Sequence, residues 1–375
     1  AVLILFLGVL VLGAFLRLYS LREIPLGLYP DEAMNGNNAL EAIATRDFKI
    51  FYPENNGREG LFINIQALSL MLFGNEPWAL RLVSVLFGTL TILGVYLLTK
   101  ELLEAGSWKL EAKRVALLSS FFLATSFWHI NFSRIGFRAI AVPFFSAFAI
   151  YFLLKGLRTG KISSLVFAGI STGLGLQTYI AFRFMPFVLA IPILGYLWIW
   201  FKNKEPQNKH CTPCALLLFI FVTFVVALPI GWYFLENPQD FLGRSGQVSI
   251  FSAGSPFMEF IKSNIATLGM FFSNGDCNWR HNLACQPQLH PIVAVLFALG
   301  FLYLLRNLFK NRILKIENLT LLVWFIFMTL PATLTREGLP HALRAIGMIP
   351  PVMILAGLGG WWLINTIVAW FENQK

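Results

Sequence analysis

The feature that most constrains this chain is a series of apolar runs, each about 15 to 25 residues long, recurring from one end to the other. That is the length an α-helix needs to cross the hydrocarbon core of a bilayer, and a helix satisfies every backbone group within its own segment. With 57% apolar and only 13% charged residues, a soluble protein of this size would lack the polar groups to cover its surface. The runs predict ten spans, at about 1–19, 77–99, 115–130, 139–154, 164–181, 187–201, 213–235, 291–305, 319–334 and 345–371. The expected fold is all-α and polytopic, one membrane domain over residues 1–375 with both termini on the same side. The sequence starts at Ala1, already inside an apolar run, so it is expected to be trimmed or incomplete at either end.

Charge sets the orientation. Loops on one side carry 15 Lys and Arg against six Asp and Glu, whereas the other side carries 14 against 13. The positive-inside rule makes the first side cytoplasmic. The net charge of +10 is then a topology signal, and no nucleic-acid partner is expected. The two sides also differ in kind: 11 of the 15 inner cations are Lys, and 12 of the 14 outer ones are Arg. Arginine carries the planar fork that grips phosphate or carboxylate through two bonds. The outer side is expected to hold an anion.

Two outer segments are long. The first, residues 20–76, contains Asp31 and Glu32, a helical stretch to Thr45, a turn-rich stretch from Phe51 to Gly57, and the apolar run Leu61 to Phe73. That run is too short to span and reads as a helix at the membrane surface. The second, residues 236–290, contains another amphipathic stretch, 256–272, followed by loop.

Adjacent carboxylates at Asp31 and Glu32 open a helix just after the first span. Asp31 follows Pro30 and precedes a helical run, so its local sequence favours a helix N-cap. Here the residues carry a resemblance. The order is YPDEAMNGNNALEA, FYPENNGREGLFINIQALSLMLFG and EPWALRLVSVLFGTLTILGVYLL, then SFWHINFSRIGFRAIAVPFF and QTYIAFRF. It resembles the membrane glycosyltransferases of the GT-C fold, family 39 type, over nearly the whole chain. That group includes protein O-mannosyltransferases, the aminoarabinose transferase and rhizobial lipopolysaccharide-core transferases.

The resemblance implies a polyprenyl-phosphate sugar donor and a glycan, lipid or protein acceptor at the outer face of the cytoplasmic membrane. It puts Asp31 and Glu32 in the catalytic site, with Asp31 as base. Such chemistry needs one carboxylate near the acceptor hydroxyl, because a polyprenyl phosphate leaves without a strong acid. With one base and no covalent intermediate, the anomeric carbon inverts. The sequence departs from the family twice. Relatives often carry Lys or His before a Pro-Leu pair where this chain reads Gly57-Arg58-Glu59-Gly60-Leu61. They also often carry an acid after Ser-Arg-Ile, and Gly136 to Ala139 has none.

Candidate donor-phosphate ligands are Arg58, Arg344, Arg138 and Arg134. The last two are four apart and share a face if helical, or else snorkel at a helix end. Candidate acceptor or substrate contacts are Glu59, His341, Arg183, Trp279, Arg280 and His281, with Trp279 equally suited to anchoring at the interface. The sequence identifies no cofactor. A divalent metal could draw on Asp31, Glu32, Glu59, His281 and His341, without diagnostic spacing. Cys277 and Cys285, in an outer loop, suit a disulfide, whereas Cys211 and Cys214 read as packing residues. Rival readings are a transporter or flippase of lipid-linked sugars, or a non-catalytic binder of them. The ten spans hold no Asp or Glu, which counts against ion-coupled transport.

Overall fold

The computed structural model describes residues 2–104, 111–202, 211–247, 249–252, 254–310 and 315–374. Of the residues behind the orientation reading, Lys109, Lys204, Lys209, Arg312, Lys375 and Glu205 lie outside these ranges. The chain is almost wholly helical. In order come α1 (Val2–Leu18), α2 (Pro30–Thr45), a hairpin of β1 (Phe51–Tyr52) and β2 (Arg58–Glu59), and α3 (Gly60–Phe73). Next are α4 (Pro77–Glu104), α5 (Ala112–Thr125), α6 (Phe127–Arg134), α7 (Ala141–Thr159), α8 (Ile162–Gly175) and α9 (Met185–Lys202). The rest are α10 (Thr212–Glu236), α11 (Pro238–Gln247), α12 (Pro256–Gly269), α13 (Pro291–Lys310), α14 (Ile316–Phe327), α15 (Leu330–Thr333) and α16 (Ile349–Glu372).

Each of the ten predicted spans coincides with a helix. Among the described residues, seven are long and apolar enough to cross a bilayer, or eight if the bent pair α5–α6 is one span. That pair bends by 56° at Ser126, so the stretch 115–130 is not one straight rod. Helices α1 and α8 are apolar but shorter, which is why the strict number falls below ten. Proline opens α4, α11, α12 and α13, where a missing N–H costs nothing.

The core is built by α4 packed on α5 and α7, α16 on α5 and α13, and α8 on α7 and α10. Small residues set these distances. A Cβ on Gly300 would lie 1.8 Å from the Leu355 carbonyl oxygen, and one on Gly359 1.9 Å from that of Leu296. The α13–α16 crossing therefore admits only glycine at both points. Large apolar side chains such as Leu3, Ile4, Phe221 and Phe224 face outward, as a lipid-facing surface requires.

Residues 20–76 fold back against the start of α4 and the break after α6. The turn-rich stretch before α3 forms a two-stranded hairpin pairing Phe51 with Glu59 and Tyr52 with Arg58. Amphipathic α12 exposes Phe257 and Ile265. Cys211 and Cys214, read as packing residues, are joined by a disulfide at the head of α10, a correction to that reading. Two positions within one helical turn bring the sulfurs close enough to bond.

Candidate active site

Asp31 and Glu32 adjoin in sequence but point to different surroundings, because successive helix residues are turned about 100° apart. Tyr29, not Asp31, takes the N-cap position of α2, with Pro30 behind it. Glu32 reaches back to accept a hydrogen bond from Tyr29 N at 3.0 Å. Its carboxylate also accepts from Arg81 Nε at 2.9 Å, Arg81 Nη2 at 3.2 Å and Gly136 N at 2.7 Å. Both Glu32 and Arg81 are fully buried, and Arg81 gives its remaining donors to the carbonyls of Pro25 and Gly27. The sequence reading puts both carboxylates in the site; the structure puts Glu32 behind it, as a strut tying α2 to α4.

Asp31 lines a recess, together with Asn35, Asn55, Arg58, Arg138, Tyr179 and Leu343. Its Oδ1 accepts from Asn55 Nδ2 at 2.7 Å and its Oδ2 from Arg280 Nη1 at 2.5 Å. Arg280 comes from the second long outer segment, so the two segments meet on this carboxylate.

Arg58 is held from behind. Its fork donates to Asn35 Oδ1 at 2.7 Å and to Asn38 Oδ1, and its Nε to the Glu54 carbonyl at 3.2 Å. Burial, reinforced by neighbouring Arg138, lowers its pKa to about 10, so it stays charged at neutral pH. Glu59, next in β2, is buried between Arg138 Nε at 3.2 Å and Arg183 Nη2 at 3.3 Å. Arg138 also donates to the Gly57 carbonyl at 3.3 Å and lies over the Tyr179 ring. Arg183 lies over Phe234 and Phe241, donates to the Phe241 carbonyl, and does not line the recess.

Arg134 and Arg138 do not share a face. Helix α6 ends at Arg134 and the backbone is extended at Ile135, so the i, i+4 relation is broken. Arg134 donates to the carbonyls of Leu16, Arg17 and Ile24, closing the end of α1 instead of facing the recess. Gly136, just past the break, is closely packed: a Cβ there would meet Gln66 Nε2 at 3.0 Å and Glu32 Oε1 at 3.3 Å.

His341 and Arg344 share a turn, where Arg344 N donates to His341 Nδ1 at 3.4 Å. Arg344 Nη2 pairs with Glu337 at 3.7 Å, and His341 Nδ1 lies 4.0 Å from Asp276 Oδ2. The sequence reading expected neither Asp276 nor its tie to His281. Trp279 is exposed and touches none of the recess. Cys277 and Cys285 are bonded to each other. Of the five candidate metal ligands, Asp31, Glu32 and Glu59 are each engaged by arginine, and only His281 and His341 come together. A recess whose carboxylate faces three guanidiniums suits an anion better than a cation.

Comparison with known proteins follows the same lines. Over 98% of its length the chain superposes on ArnT from Cupriavidus metallidurans bound to undecaprenyl phosphate, with a TM-score of 0.63 and 17% identity. It likewise matches the oligosaccharyltransferase of Archaeoglobus fulgidus tethered with an acceptor peptide, over 98% at 0.60 and 15% identity. The chain has the GT-C fold. A third GT-C match is the archaeal oligosaccharyltransferase AglB from Archaeoglobus fulgidus with an inhibitory peptide and a dolichol-phosphate, over 100% at 0.57 and 16% identity. The chain covers 63%, 50% and 52% of those three structures, so it spans about half to under two thirds of their length. The family described as dolichyl-phosphate-mannose-protein mannosyltransferase matches residues 61–233, which begins just past Glu59 and leaves Asp31 outside. No curated protein matches the sequence.

Proposed function

We propose that this GT-C chain is a glycosyltransferase that moves a hexose or pentose from a polyprenyl-phosphate carrier to an acceptor hydroxyl. The observation that carries the reading is the recess, where the Asp31 carboxylate stands with the Arg58 and Arg138 guanidiniums beside the Tyr179 ring. Base and anion-holding groups thus share one small space, as displacement of a phosphate by a hydroxyl requires. The solved structures with undecaprenyl phosphate and dolichol-phosphate support a lipid phosphate as the donor's leaving group.

In this mechanism the acceptor hydroxyl attacks the anomeric carbon and gives its proton to Asp31 as the carbon–oxygen bond to phosphate breaks. Positive charge develops on the sugar ring, which the nearby carboxylate stabilises, and negative charge develops on the phosphate, which the arginines stabilise. One displacement inverts the anomeric centre. Glu32 and Glu59 act as positioning residues: the first fixes the start of α2, the second holds Arg138 and Arg183. The charge asymmetry of the loops supports a site facing away from the cytoplasm in the cytoplasmic membrane.

The test is release of free polyprenyl phosphate from polyprenyl-phosphate-linked sugars by the purified chain in lipid nanodiscs. Acceptor-dependent release with the sugar recovered on the acceptor is expected. Movement of intact donor between leaflets without release would overturn the reading in favour of a flippase.

A further inference from the structure

We propose that Asp276, His281 and His341 form a site for a divalent cation of the zinc class, which clasps the second long outer segment to the turn at His341, behind Arg280. Their ligand atoms all lie within 4.8 Å of one another. Asp276 Oδ2 is 2.8 Å from His281 Nδ1 and 4.0 Å from His341 Nδ1, and the two imidazole centroids are 4.8 Å apart. With metal–ligand bonds of about 2.0–2.2 Å, donors around one tetrahedral ion stand about 3–3.5 Å apart. The observed separations bracket that value, and seating an ion closes the widest of them by roughly an ångström, shared between its two side chains.

Three further observations point to a built site. Asp276 and His281 are almost completely buried, unusual for a loop. The carboxylate is oriented by backbone donors, Ala342 N on Oδ2 at 2.8 Å and Asn278 N on Oδ1 at 2.8 Å, which is how ligating carboxylates are held. His281 Nε2 is buried with no hydrogen-bond partner among the described residues, so the ring can carry its proton there and present the Nδ1 lone pair to an ion. Two imidazoles and one carboxylate are borderline donors that suit zinc, whereas calcium and magnesium favour all-oxygen sets. Three protein ligands leave a fourth position open.

The ion would join segment 276–281 to the turn at His341. Arg280 adjoins His281 and reaches Asp31, so the clasp would hold the guanidinium on the carboxylate. The site is distinct from the recess, since none of its three ligands lines it.

The test is zinc binding by the full chain in nanodiscs, with affinity tags removed and the protein stripped by chelator. Zinc retained after gel filtration is measured by mass spectrometry alongside the unfolding midpoint. One zinc per chain is expected, with a higher midpoint on reloading. His341→Asn should weaken binding on the order of 100-fold, as losing a ligand or its support does, and should abolish the midpoint rise. Asp276→Asn is the companion variant; if it fails to fold, His341→Asn decides, because His341 lies nearer the surface. Failure of the wild type to retain zinc, or equal retention by His341→Asn, would leave a hydrogen-bonded cluster only and overturn the proposal.

Discussion

Asp31 Oδ2 accepts a 2.5 Å hydrogen bond from Arg280 Nη1, joining residues 249 positions apart in the chain. Both side chains are about a third exposed, so solvent screens the pair and its contribution to folding is small. Its value lies in orienting the carboxylate and adding a cation beside the recess. Arg280→Gln should therefore leave the unfolding midpoint unchanged. It should lower kcat/KM for the lipid-linked donor by about 10- to 100-fold, the scale of one charge-assisted hydrogen bond. Steady-state kinetics with a melting curve separates the two effects.

The buried pair Glu32–Arg81 should behave in the opposite way. Removing one partner strands a buried charge, at a cost of about 3–5 kcal/mol. Glu32→Ala should fail to fold or melt far below the wild type. A well-folded Glu32→Ala chain with normal melting but no transfer would return Glu32 to the catalytic set.

These two neighbours mark the limit of what the sequence discloses. Paired carboxylates after a first span were visible as a motif, and the outer arginines as a chemical type. Which of the two carboxylates faces the recess depends on Arg81, which lies within an apolar run and was not among the candidate site residues. Arg134 and Arg138 share a face only in a continuous helix, whereas α6 ends at Arg134 and Ile135 is extended. Asp276 was not singled out, since His281 five residues on gives no diagnostic spacing and His341 is brought to it only by tertiary packing. The apolar runs were legible because hydrophobic length is a local property, but seven, or eight with the bent pair, are long enough to cross a bilayer among the described residues, and their packing partners were not legible.

Arg58→Lys offers a test with a pH signature. The site already lowers the Arg58 pKa to about 10, chiefly by burial. A lysine starts from about 10.4, so the same burial should bring it towards the working range. A lowered cation pKa means charge is present below that value and lost as pH rises through it. Donor KM of Arg58→Lys should therefore climb between pH 7 and 9, while that of the wild type stays flat. Parallel pH profiles would detach Arg58 from phosphate binding.

Orientation can be read with reporters at Asn55 and Gly160. A topology in which the loop holding Asn55 is outside and the turn at Gly160 is cytoplasmic is expected from the loop charges. Exchange of the two signals would put the recess on the cytoplasmic face.

The most direct measurement is turnover of Asp31→Asn with a polyprenyl-phosphate-linked sugar donor. Asparagine keeps the size of the side chain and can still face Asn55, but it cannot take the acceptor's proton. The account predicts that turnover falls by about 100-fold or more, the scale of general-base loss, with the melting temperature and donor KM little changed. Near-normal turnover by a folded Asp31→Asn chain would contradict it.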